Sequence, residues 1–394
     1  TWDDTRGRTH PAMPRHNLKH NGCFFALLLV LSGLLFLLPG PPVVASGVSG
    51  FRAKAVVTET DNSNVEQHGL VRFGSQRLKV RITGGPMKGE GFSAGNELRA
   101  QLEFDNFYEV GDRVVVVSPK PQVVQGDVLT VQSYARSGWT FALFGIFCIL
   151  LCIFGRLTGF NALLSFVFSC ILIWKAIIPL LLRGWPASWT IFGCVVFLTA
   201  VIMYLVAGFT RCGVCAFLGA CSGIFVGLFT AHFFSWVLNI NGAVLPYSQT
   251  LIYTGYPSLD LRDIFVGAMI LASSGAVMDL GMDIASGQQE VALHHPGISR
   301  WDLIASGLRM GRKVVGTMTT TLLLAYSGGY ITLLMMFMVQ NSTPWEIINN
   351  PLVAAEIVKT LIGSFSLVLV APATAFLGGW FFRTPGAPTS RSET

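Results

Sequence analysis

Two carboxylates one helical turn apart inside an apolar stretch are the most chemically loaded residues of this sequence. Asp279 and Asp283 stand at (i, i+4) in RDIFVGAMILASSGAVMDLGMDIASG, which begins at Arg262. On a helix Gly275, Asp279, Asp283 and Gly287 fall on one line, with Ala272, Ala276 and Ser286 beside it. Lipid does not tolerate so small and acidic a face, so it must look into protein or water. Two unpaired carboxylates in a low dielectric hold a proton or cation, or pair with a basic residue. Ser274 precedes this face, and Thr317 and Thr320 on the next apolar stretch could add hydroxyl oxygens. Carboxylates with hydroxyls suit a proton or hard cation better than a soft metal.

A structural alternative competes, in which Asp279 and Asp283 sit at the inner interface and pair with Arg309 or Arg312. An aspartyl enzyme is the weaker alternative, because carboxylates that share a proton normally converge from separate elements. There is no Walker loop, dinucleotide fingerprint or HExxH, so no enzyme activity and no cofactor are expected. His294-His295 lack a second pair at ligand spacing, so no metal site is expected. His232, alone in its span, reads as a hydrogen-bonded packing residue before a proton relay. Cys212 and Cys215 have redox-motif spacing but open an apolar helix, so they read as small hydrophobes, like the other six cysteines.

The elements that carry these residues are irregular. A bilayer needs about 20 apolar residues in a helix. Ile264 to Met278 is shorter than that, which predicts that Asp279 lies in the hydrocarbon margin or that the helix is broken. Val314 to Val339 is long enough, yet Ser327, Gly328 and Gly329 interrupt it. Interrupted spans expose backbone groups and are among the better sequence pointers to a transport site. Gly219, Gly223 and Gly227 line one face of another span, where a helix backbone could approach closely. Glu356 and Lys359 at (i, i+3) open the last span and could pair locally.

Three segments, GAVMDLGMDIASG (275–287), GRKVVGTMTTTLLLAYSGG (311–329) and EIVKTLIGS (356–364), resemble in this order and spacing the YibE/F-like membrane protein family. The resemblance runs from about residue 51 to 382. It implies a multi-pass membrane fold more than a function.

The rest of the chain agrees with a membrane class. Of its residues 52% are hydrophobic and only 12% charged, against about 25% charged in soluble domains. The net charge of +6 does not point to nucleic acid, because the basic residues are scattered beside apolar spans. Residues 1–22 read as a basic cytoplasmic N-terminus, and 23–45 as a first transmembrane helix or a signal peptide. Residues 51–134 carry alternating runs such as Leu78, Val80, Ile82 and Leu98, Ala100, Leu102, Phe104, with glycine turns between. They predict a small antiparallel barrel of OB or SH3 type inserted after the first helix. Arg77, Lys79 and Arg81 share its solvent face. Residues 139–383 predict seven spans, at 139–155, 160–182, 187–209, 213–238, 264–286, 314–339 and 360–382, followed by a tail at 384–394. Ser299 should cap an amphipathic helix leading into the 314–339 span.

With residues 1–22 inside, the basic residues of the short loops also fall inside, which predicts an extracytoplasmic barrel. The expected fold is an α-helical polytopic membrane protein of about eight spans in a bacterial cytoplasmic membrane, with both termini cytoplasmic. The expected function is a transporter or channel for a small solute or ion. The alternative is a non-transporting assembly or envelope-organising protein acting through the barrel. The lipid bilayer is the one partner the sequence requires; a homo-oligomer is left open, and no nucleic acid is expected.

Overall fold

A computed structural model describes residues 50–382 other than 86, 103 and 104, together with Gly33. The expected first span and the tail lie outside the described residues. The chain divides into two compact units that meet between residues 154 and 155.

The described residues of the first unit form six strands: β1 (Phe51–Asp61), β2 (Val65–His68), β3 (Val71–Ile82), β4 (Gly91–Arg99), β5 (Arg113–Ser118) and β6 (Val128–Tyr134). Five of them close on themselves in the order β1-β5-β6-β4-β3-β1, and β2 adds to the edge of β3. Closure removes the unpaired edges an open sheet would expose. One pairing departs from the antiparallel expectation: β4 and β6 run parallel, with Ala94 opposite Leu129. Strands in that order form an OB-type Greek key, in which a return strand must close beside one running the same way.

Alternation explains the core. Leu78, Val80 and Ile82 of β3 are buried while Arg77, Lys79 and Arg81 are exposed. Phe92, Ala94, Val114, Val116, Leu129 and Val131 fill the barrel from the other strands. The run expected from Leu98 stops early, because β4 ends at Arg99 and Ala100 turns into a left-handed conformation at φ 64°; Phe104 lies outside the described residues.

The polar side chains of Gln76 and Asn96 are buried with this core. Gln76 donates to Asn62 Oδ1 and to the Tyr108 carbonyl, at 2.9 and 2.7 Å. Its Oε1 accepts from Asn96 Nδ2 and from the Tyr108 amide, both at 3.2 Å. The network clamps the loop that includes Asn106 and Tyr108 across the barrel. A single helix, α1 (Ser137–Arg156), follows the last strand and is long and apolar enough to cross a membrane.

The second unit is helical. Its long helices are α2 (Thr158–Leu182), α3 (Ala187–Ala207), α4 (Arg211–Val237) and, after a short α5 (Ser248–Tyr253), α6 (Leu261–His294). Then come α7 (Arg300–Gly328), α8 (Ile331–Val339), the single-turn α9 (Pro344–Asn349) and α10 (Pro351–Phe381). Six helices of the described chain are long and apolar enough to cross, and α7 with α8 makes a seventh bent by 65°. These correspond to the seven segments expected after the barrel, and the bend falls at Gly328 and Gly329.

The most enclosed helix is α6, with 61% of its apolar window buried. It is continuous, so the expected alternative of a broken helix does not arise. Asp260 caps it by accepting from the amides of Arg262 and Asp263. Small residues let α4, α6 and α10 approach closely. A Cβ on Gly219, Gly223 or Gly227 would meet Thr374 Oγ1, Val370 Cγ2 or Ser366 Oγ at 2.0, 2.0 and 2.3 Å. The glycine ladder therefore faces α10, with no room for a larger residue. Gln288, fully buried on α6, donates to the carbonyls of Leu303 and Ala375 at 3.0 Å each, tying α6 to α7 and α10.

Candidate functional site

The level of Asp279 along α6 follows from register. α6 and α10 run side by side in the same direction: Lys359 Nζ lies 5.8 Å from the Phe265 ring centroid, and Gln288 bonds to Ala375. At 1.5 Å per residue, Asp279 lies about 21 Å from the level of Phe265 and about 14 Å from that of Gln288. Trp380, with the Arg300 guanidinium 4.3 Å from its ring centroid, is the pairing expected at a membrane–water boundary. Asp279 and Asp283 thus follow the apolar run Ile264–Met278, at its end nearer the level of Gln288.

The carboxylates are not enclosed by this chain. Ala272, Gly275, Asp279 and Asp283 form an exposed stripe along α6, and nothing lies within 4 Å of a Cβ built on Gly275. Two helices wall the stripe at one end. Cys212 Sγ of α4 lies 3.6 Å from Ser286 Oγ, and on the other flank Met310 Sδ of α7 lies 2.5 Å from a Cβ built on Gly287. Asp283 projects between those flanks, so α6 floors a groove between α4 and α7.

The threonines are partly brought to the same place. Gly287 faces Met310, Gly311 faces Ile284, and Leu322 and Ser273 both meet Gly363. That antiparallel register sets Thr317 level with Asp279, on the Met310 and Thr321 stripe that borders the groove. Thr317 and Thr321 donate to the carbonyls of Val314 and Thr317, at 2.9 and 3.0 Å. Each hydroxyl keeps lone pairs free to accept. Thr320 points further out and donates to Gly316. Ser274 turns into the core and donates to the Leu271 carbonyl, so it is not on the acidic stripe.

Pairing with Arg309 or Arg312 is not formed. Among the described residues no ion pair joins Asp279 or Asp283 to any base. The reason is rotational: α7 packs through Leu303, Ile304, Gly307 and Gly311, which leaves Arg309 and Arg312 exposed on the opposite side.

Ser327, Gly328 and Gly329 mark a second place, at the α7–α8 bend. Beside it Glu356 and Lys359 form an ion pair whose side chains are only 12% and 16% exposed. The Tyr330 ring lies beside the pair, its centroid 5.8 Å from Lys359 Nζ. Sequence spacing predicts this pair; its burial at the bend comes from tertiary packing. A third cluster joins helix ends: His232 Nε2 lies 3.0 Å from Ser188 Oγ and 3.9 Å from Asp263 Oδ1. Asp263 accepts from the Ser188 amide at 3.1 Å. Serine and aspartate approach the same ring nitrogen, which is not the relay of a nucleophilic triad. Sequence reading finds His232 but not its partners, because Ser188 and Asp263 lie at the starts of α3 and α6 and look like ordinary cap residues.

A polytopic helical unit with ionisable groups at membrane depth and a bent span defines a class of multi-pass membrane protein. Residues 143–384 match the model of the YibE/F-like protein family, and the chain belongs to that family. The matched region takes in the helical unit and most of α1, and leaves the barrel outside it. No curated protein and no solved structure matches the chain.

Proposed function

We propose that this protein moves a proton or a small hard cation across the membrane, with Asp279 as the principal binding group. The observation that carries the reading is the Asp279 carboxylate, exposed at the end of an apolar run and without an ion-pair partner among the described residues. A charged side chain there is costly unless it meets water, a cation or a proton. Asp283, one turn away, supplies a second carboxylate. Thr317 and Thr321 border the groove with acceptor oxygens, which together with carboxylates is a hard ligand set. In this reading the barrel stands outside a bacterial cytoplasmic membrane and both termini lie inside.

Flux in liposomes tests it. Asp279→Asn retains shape and hydrogen-bonding capacity but removes the titratable charge, so proton or cation flux should be abolished. Asp283→Asn should reduce it less. An Asp279→Asn protein that conducts at the wild-type rate would remove this residue from the mechanism.

A further inference from the structure

The end of the barrel from which α1 leaves carries an apolar rim. Leu70, Leu102 and Val110 stand there 86%, 67% and 63% exposed. Leu70 is in the turn between β2 and β3, and the other two are in the loop from β4 to β5. Phe73 pairs with Arg99, so that turn and the start of that loop lie at the same end. Leu70 and Leu102 line one shallow hollow with Arg72 and Phe107, and the Arg72 guanidinium lies 4.0 Å from the Phe107 ring centroid.

The rim is tied to the residues that lead into the membrane. The Tyr134 hydroxyl donates to the Phe107 carbonyl at 2.6 Å, and Arg136 Nη2 donates to Asn106 Oδ1 at 3.2 Å. Ala135 and Arg136 alone separate β6 from α1, so Tyr134 and Ser137 are at most about 11 Å apart. α1 is long and apolar enough to cross a membrane, and none of its apolar window is buried. It therefore does not pack back along the barrel. Trp139, in its first turn and exposed, is the residue type expected at a membrane–water boundary.

So short a tether makes contact between rim and lipid intramolecular, at high effective concentration. Apolar side chains gain by entering the boundary between headgroups and acyl chains, and the Arg72 cation beside them suits lipid phosphates. Asp105, the carboxylate lining the same hollow, is turned onto the Arg99 and Gln101 amides at 2.9 and 2.8 Å. We propose that this rim docks the barrel on the bilayer that holds α1, with Leu70, Leu102 and Val110 entering the headgroup–acyl boundary. The barrel is then held on the lipid surface rather than swinging on its tether.

Lipid quenching of the full chain in phosphatidylcholine nanodiscs tests this. The fluorescent amino acid Anap replaces Leu102, Val110 or Val124, one at a time. Val124 is 69% exposed but lies in the loop between β5 and β6, at the opposite end of the barrel. The quencher is a lipid with a doxyl group near the headgroup end of its acyl chain. Emission from positions 102 and 110 should shift to the blue and be quenched, and emission from position 124 should do neither. With Anap at position 110, Leu70→Asp together with Leu102→Asp should abolish the quenching while the melting temperature holds, because both side chains are exposed. Absence of quenching at the rim, equal quenching at position 124, or quenching that survives the double substitution would each overturn the proposal. A blue shift without quenching would overturn it too, by placing the rim against protein. Asp279→Asn should leave the quenching unchanged, so failure here and failure of the conduction reading are separable.

Discussion

The barrel and the helical unit both place polar side chains where apolar ones are expected, and they treat them in opposite ways. In the barrel, Gln76 is fully buried and both ends of its amide are engaged. Such a group is committed to architecture, because any ligand would have to displace intramolecular bonds. In the helical unit Asp279 stands on an exposed face at the end of an apolar run, with no ion pair among the described residues. Satisfied polar groups hold loops, whereas unsatisfied ones at membrane depth are available to a ligand. Gln288 follows the barrel's rule only in part: its amide nitrogen is spent on two carbonyls of neighbouring helices, while its buried Oε1 has no hydrogen-bond partner.

This contrast can be broken by substitutions that should fall in a definite order. Gly223→Leu should be the most damaging, because its side chain would enter space held by Val370 Cγ2 and the Ser366 carbonyl. Overpacking costs about 1–3 kcal/mol in ordinary cores, and the rigid backbone contact here should place the loss at or above that range. An unchanged melting curve in detergent would show that α4 and α10 do not pack as described.

Gln76→Leu comes next. It leaves the Tyr108 amide and carbonyl and Asn96 short of partners, at about 1–3 kcal/mol for each group left unsatisfied. The clamped loop should then be cut faster by protease while the helical unit keeps its melting temperature. Equal loss in both units would contradict their treatment as separate cores.

Alkaline pH gives a smaller, graded effect on the barrel. Burial pushes the Tyr108 phenol up to about 12 from an ordinary value of 10. The unfolded chain therefore ionises first, so stability present below pH 10 is lost as pH rises towards 12. Tyr108→Phe should flatten that decline in a denaturant titration of the full chain; an unaltered slope would place the sensitivity elsewhere.

The smallest structural effect should come from Asp279→Asn, within about 0.5 kcal/mol of wild type in detergent, as for an exposed residue without partners. A fall in melting temperature comparable to that of Gly223→Leu would mean Asp279 is a bound structural partner like Gln76, and the contrast between the units would fail.

Much of this architecture was legible in the chain. The β3 alternation, the Ser299 cap and the interruption at Gly328 each depend on local geometry, and Ser299 Oγ does accept from the Asp302 amide at 3.1 Å. The parallel β4–β6 pair was not legible, since which strand returns beside which is a matter of closure and not of alternation. The length of the apolar core also left open whether the helix breaks near Asp279. The helix continues through both aspartates to His294.

By itself, the sequence determined the class of molecule, the carboxylate pair on one helical face and the glycines that needed a close neighbour. Composition and period suffice for these, because solvent preference and side-chain direction are local properties. Tertiary structure alone decided which neighbour each face meets. It turned Arg309 and Arg312 away from Asp279, buried Glu356 and Lys359 beside the bend, and brought Ser188 and Asp263 to His232. Those outcomes depend on the rotation and register of packed helices, which are set by contacts between residues far apart in the chain.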